Sequence, residues 1–103
     1  MDIFSIGYVP IYNADLDLLE TKERPQVVTA FRSNLSQAEG IVIVSPEYNY
    51  SIPGGLKNAM DWALRGEDSP LLGKPVAVMG ATPGLWGTIH MQSAFQAVFL
   101  FLI

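Results

Sequence analysis

One loop gathers most of the residues that could do chemistry. Between Ser45 and Gly55 stand two Pro, two Gly, two Tyr, an Asn and a Glu. Glu47 and Asn49 can hydrogen-bond the edge of a heterocycle, and Tyr48 and Tyr50 offer stacking surface. A second loop, Ala81 to Gly87 (ATPGLWG), adds glycines and Trp86. Each loop follows a short apolar run and precedes a helical pattern. In an open parallel sheet, such loops meet at the carboxyl ends of the strands, where ligands bind. Free N–H groups near helix N-termini at that edge suit a polar planar or anionic ligand. Composition alone leaves a second reading open. Pro46 and Pro53 can simply fix the loop, and the polar and aromatic residues can serve turn geometry and surface cover.

Other chemistries lack partners. The chain has no Cys and a single His, His90. Thiolate zinc sites, disulfides and cysteine nucleophiles are therefore excluded, a histidine-based triad or zinc site lacks partners, and His90 is expected to be structural. Ser45 and Ser51 have no neighbouring signature of nucleophile activation. Lys57 and Asn58 read as helix and packing residues, and Asp61 and Glu67 as members of surface pairs. Asp15, Asp17 and Glu20 form an acidic turn, read as a solvated loop and not as a metal site.

The elements that must position these loops follow from periodicity. Ile41-Val42-Ile43-Val44 is an uninterrupted β-branched run, the pattern of a parallel strand covered on both faces. Pro75 to Gly80 reads as a second buried strand. A helix is expected over Pro25 to Ala38, with Pro25 in its first turn, Val27, Val28, Phe31, Leu35 and Ala38 on one face, and Gly40 as its C-cap. A second helix starts at Pro53 or Gly54 and ends near Arg65, with Gly66 to Lys74 as a loop. A third runs from Thr88 to about Leu102; its apolar end reads as buried or unfinished. Ile3 to Ile6 reads as the end of an earlier strand, with Gly7 to Asp17 as loop. Strands alternating with helices predict right-handed crossovers and a parallel sheet, hence an α/β fold in one domain over residues 1–103.

Composition bounds the partners. The chain has 103 residues, half of them apolar and only 16% charged, so it can bury one modest core. Its net charge is −4, and only six Lys and Arg are spread along it. No nucleic-acid or anionic-membrane partner is expected. The N-terminus lacks the pattern of a signal peptide, and the longest apolar run, Ala97 to Ile103, is far short of a span. A cytoplasmic protein is expected.

At SPEYNYSIPGGLKNAMDW, residues 45–62, the chain resembles the NAD(P)H-dependent FMN reductase family, which includes quinone, chromate and azo-dye reductases. The resemblance extends to Pro10-Ile11-Tyr12-Asn13 and Asp15, to Gly73-Lys74-Pro75-Val76, and to Gly80-Ala81-Thr82-Pro83-Gly84 with Gly87. It implies a flavodoxin-like three-layer α/β/α fold with a parallel sheet. It implies FMN and NAD(P)H as cofactors and a quinone, free flavin or other small molecule as electron acceptor. By the same resemblance Pro46, Glu47, Tyr48 and Asn49 would hold the flavin ring, largely through backbone groups. Ala81, Thr82 and Gly84 would approach it from the adjacent loop. No side chain need act as a catalytic acid or base, because the flavin carries the redox chemistry.

Three departures from the family pattern bear on this expectation. Nothing in the chain matches the family's opening strand, its glycine-serine-arginine loop for the FMN phosphate, or the helix after it. The chain stops where the family would enter its last strand. Arginines that the family often carries near His90 and Gln96 are replaced. A flavodoxin-like fold incomplete at both ends leaves strand edges and helix faces open, so a homo-oligomer is expected. The alternative to an enzyme is a truncated, non-catalytic module with weak or no FMN binding.

Overall fold

The structure is a computed structural model and describes residues 3–17, 24–65 and 68–100. Helix α1 spans Gln26–Gln37, strand β1 Ile41–Val44, helix α2 Gly54–Leu64, strand β2 Val76–Met79 and helix α3 Ile89–Phe99. A short 3-10 helix, Ala14–Leu16, precedes them. The strands pair in parallel with Ile41 beside Val76 and Val44 beside Met79. Their ladder is extended by Ile41 N–H to the Pro75 carbonyl and Ser45 N–H to the Met79 carbonyl, both at 3.0 Å.

Proline punctuates the helices as the sequence indicates. Pro25 and Pro53 each occupy the position before a first helical residue, with extended ψ values of 148° and 140°. Each has φ already near the helical value, and each offers its carbonyl to a helical N–H, Thr29 and Lys57 respectively, at 3.0 Å. Phe31 and Leu35 of α1, Ala59, Met60 and Ala63 of α2, and Met91 and Phe95 of α3 form one buried cluster with Ile43 and Leu71.

That cluster lies against one face of the sheet only. Ile41, Ile43, Val76 and Val78 point into it, whereas Val42, Val44 and Met79 are 58%, 72% and 53% exposed. The expectation of a strand covered on both faces is therefore corrected. β-Branched runs mark strands but do not count the layers above them, and here all three helices pack on one side. The two strands alternate in phase, so their exposed residues form one apolar strip.

Three further expectations are corrected. Ile3 to Ile6 forms no strand, since β1 and β2 are the only paired strands among the described residues and neither joins it. Its one backbone bond among the described residues is Val9 N–H to the Ile6 carbonyl, at 3.1 Å, yet Phe4 and Ile6 still pack on the core. The Phe4 and Phe31 rings lie 5.1 Å apart. Gly40 is not a helix cap. α1 gives way at Ala38, whose N–H donates to the Leu35 carbonyl at 3.3 Å, and the Lys74 ammonium donates to the same oxygen. Gly40 instead permits close approach, since a Cβ there would sit 3.3 Å from the Pro75 ring.

The acidic turn is also not simply solvated. The Asp17 side chain is only 2% exposed; it pairs with Arg24 at 2.6 Å and accepts from the Tyr12 hydroxyl at 2.8 Å. Asp15 stays exposed, with its N–H capped by Asn13 Oδ1 at 3.0 Å. Glu20 and Glu67 lie outside the described residues. Asp61 does form the expected surface pair, with Lys57 one turn earlier at 2.6 Å. At its far end α3 is described through Phe99, and Leu100 after it is exposed; residues 101–103 lie outside the described set.

Candidate functional site

Ser45 leaves β1 with its side chain buried and its hydroxyl donating to the Pro46 carbonyl at 2.8 Å. The loop then folds into a tight hairpin. Tyr48 and Ser51 exchange two backbone bonds, at 3.1 and 3.0 Å. Between them Asn49 and Tyr50 both take positive φ, 51° and 64°. Two left-handed residues in succession suit the right-handed twist of such a turn. Asn tolerates that region readily, whereas Tyr does not. The Tyr50 ring lies 4.5 Å from the His90 imidazole, a contact that helps hold the strained residue.

The second loop leaves β2 at Gly80, where the backbone has no room for a side chain. A Cβ on Gly80 would meet the Ser45 carbonyl oxygen at 2.5 Å, Thr88 Oγ1 at 2.9 Å and Met91 Cε at 3.0 Å. That glycine lets the ends of β1 and β2 and the start of α3 converge. Ala81, Thr82 and Gly84 are exposed, with Gly84 N–H donating to Thr82 Oγ1 at 3.2 Å. Leu85 and Trp86 project into solvent, and the Trp86 ring lies edge-on to His90 at 6.4 Å. His90 thus stands between the two loops.

α3 begins in an unusual way. Thr88 precedes it with φ 63°, and its side chain does not cap the helix. Its hydroxyl donates to the Gly87 carbonyl and accepts from Gln92 Nε2. The cap comes from the first loop: Glu47 Oε1 accepts from Met91 N–H at 2.9 Å. The other carboxylate oxygen lies 3.5 Å from His90 Nδ1, an atom that is buried and has no hydrogen-bond partner among the described residues.

The backbone N–H groups of Glu47, Asn49, Ala81 and Thr82 donate to no other described residue. An open cleft of about 400 Å³ is lined by Glu47, Asn49 and Tyr50. Open amides along two neighbouring loops, with aromatic rings at the rim, fit the edge of a planar, amide-rich ring such as a flavin's. No group of three or more His, Cys, Asp or Glu able to hold a metal occurs among the described residues.

Long-range fastening of the site was not evident from the sequence. Asn58 Nδ2 and Trp62 Nε1 both donate to the Pro10 carbonyl at 2.8 Å, and Asn58 Oδ1 accepts from Tyr12 N–H at 2.7 Å. The Tyr12 ring packs on Trp62 at 4.7 Å. α2 therefore grips the Pro10–Tyr12 segment with two side chains, Asn58 and Trp62, that stand one turn apart on it. The alternation of types in Asn58-x-x-x-Trp62, one turn apart, was the available signal. Burial, the hydrogen bond to Asp17 and the carboxylate's charge together push the Tyr12 hydroxyl above its ordinary value of 10.0, and the Arg65 cation opposes them. At the carboxyl end of α2, the buried Arg32 guanidinium donates to the Trp62 carbonyl at 2.7 Å and meets Asp68 at 3.2 Å. Burial lowers its pKa, nearby Arg24 adds to that, and Asp68 opposes both.

A parallel β1–α2–β2–α3 order with both strand-to-helix loops on one edge is that of an open α/β protein, and its likeness to a solved structure makes it flavodoxin-like. The chain belongs to the family of NADPH-dependent FMN reductases, whose model matches residues 1–102. It is 44% identical over 98 residues to a quinone reductase of Escherichia coli K12, covering 95% of this chain and 51% of that protein. It is 41% identical over 102 residues to a 2-hydroxy-1,4-benzoquinone reductase of a Burkholderia species, covering 98% and 54%. Among solved structures it is similar to FerB, a flavoenzyme NAD(P)H:(acceptor) oxidoreductase from Paracoccus denitrificans. The TM-score is 0.81 at 34% identity, over 93% of this chain and 52% of that one. The chain thus spans about half the length of the relatives it matches.

Proposed function

We propose that this chain provides the ring-binding part of an FMN-dependent NAD(P)H oxidoreductase that reduces a quinone or another small-molecule acceptor. The observation that carries this reading is the meeting of two loops with open amides at the carboxyl ends of β1 and β2, in a chain of this family. Pro46, Glu47, Tyr48 and Asn49 line the ring from one side, chiefly through the backbone, and Ala81, Thr82 and Gly84 approach from the other. The flavin, when bound, accepts hydride from the nicotinamide and passes electrons to the acceptor. The chain's own residues orient the ring, supply N–H donors to its polar edge and screen it from water. Tyr48, Tyr50 and Trp86, all exposed at the rim, offer apolar surface to a planar acceptor.

The activities of the quinone reductases it resembles support a quinone-type acceptor, and the uncovered strip of Val42, Val44 and Met79 supports self-association as a homo-oligomer. The reading is tested by titrating the purified chain with FMN while following the flavin absorbance bands. NADPH oxidation with added FMN and a quinone then reads turnover. Saturable uptake and turnover are expected. No uptake at high micromolar FMN would overturn the enzyme reading and leave a non-catalytic flavodoxin-like module.

A further inference from the structure

We infer that the Glu47 side chain is a positioning group: it clasps the ring-binding loop onto the first turn of α3 and does not itself face the ring. This rests on the FMN site proposed above and assigns the carboxylate a separate task within it.

The start of α3 presents N–H groups with no intrahelical acceptor. The residue before it usually supplies one from its own side chain. Thr88 does not, because its left-handed φ of 63° and its bonds to Gly87 and Gln92 direct the hydroxyl elsewhere. Glu47, 44 positions earlier, takes that place at Met91 N–H. A carboxylate is well suited there, since the helix N-terminus carries partial positive charge. Its second oxygen faces His90, whose ring also touches Tyr50 and approaches Trp86. One side chain thus links the first loop, the start of α3 and, through His90, the rim of the second loop. Glu47 N–H remains open for a ligand while its carboxylate is engaged.

The test compares Glu47→Ala with Glu47→Gln. Gln keeps an acceptor oxygen for Met91 N–H, whereas Ala removes it. In the full chain, Glu47→Ala should speed hydrogen exchange at the Met91 amide and shift the NMR resonances of residues 47–50, with far-UV circular dichroism unchanged. It should weaken FMN binding by up to roughly tenfold, the fold-change reached if the stability of a lost helix cap is drawn from binding. It should also alter the fine structure of the bound flavin's visible band. Glu47→Gln should restore Met91 protection, the loop resonances and most of the affinity. Unchanged Met91 exchange in Glu47→Ala overturns the inference. So does equal loss of affinity in both variants with Met91 still protected, which would place the side chain on the ring. If the wild-type chain takes up no FMN, the proposed function fails, while the Met91 exchange and the loop resonances still decide the clasp.

Discussion

The indole N–H of Trp62 donates to the carbonyl of Pro10 at 2.8 Å, joining residues 52 positions apart. The same oxygen accepts a second hydrogen bond, from Asn58 Nδ2, while Asn58 Oδ1 accepts from Tyr12 N–H. α2 therefore holds the chain before α1 by three bonds from two side chains.

That arrangement predicts an order of severity. Asn58→Ala should destabilise by about 1–3 kcal/mol, because it strands a partly buried backbone N–H as well as removing a donor. Asn58→Asp keeps the acceptor for Tyr12 and should lie between wild type and Ala. Trp62→Phe removes one donor and some buried volume. Urea denaturation midpoints at constant m-value would read all three.

Gly80→Ala should destabilise by roughly 1–3 kcal/mol through overpacking. The nearest obstacle to the new Cβ, the Ser45 carbonyl at 2.5 Å, is backbone, so β1 and α3 must separate for it to fit. A lowered thermal midpoint with weakened protection of the Ser45 and Met91 amides would show this.

Arg32 anchors the end of α2 through the Trp62 and Ala63 carbonyls and Asp68. Arg32→Ala should destabilise by about 2–4 kcal/mol, since charged hydrogen bonds and stem packing are lost together. Arg32→Lys should recover little, because a point charge cannot reach carbonyls and carboxylate as a planar fork does. Chemical denaturation of the two variants side by side tests the claim.

Tyr12 makes stability fall in alkali. Its folded pKa is raised, so the folded chain holds this proton more tightly than the unfolded chain. The contribution is complete below the ordinary value of 10.0 and is lost as pH rises from there through the raised folded value. Other groups titrate in that range, so the comparison is with Tyr12→Phe. The difference in stability between wild type and variant should shrink as pH climbs past 10 and stay flat between pH 7 and about 9.

Local signals made much of the fold legible. Pro25 and Pro53 marked two helix starts, and the β-branched run marked β1 to the residue. The loop after β1 stood out by composition, and its pairing with the loop after β2 followed from parallel topology. What stayed hidden was carried by distant partners. Nothing beside Asp17 in sequence announces that Tyr12 and Arg24 will enclose it. Glu47 looked like a ligand-facing carboxylate because its helix partner lies 44 residues on. Thr88 gave no sign of a left-handed backbone, which few β-branched residues adopt. The bare face of the sheet was equally invisible, since Val42 and Val44 carry the same side chains that a covered strand would.

That bare face also sets where the chain meets oxidants. Met60 and Met91 lie in the core at 4% and 0% exposure, while Met79 presents its thioether on the open strip at 53%. Peroxide should reach Met79 well before either of the others, turning an apolar side chain into a polar sulfoxide at the carboxyl end of the strip. Of these three methionines the one most open to oxidation is thus the one on the apolar strip, so mild oxidation should make that strip more polar while leaving the core intact.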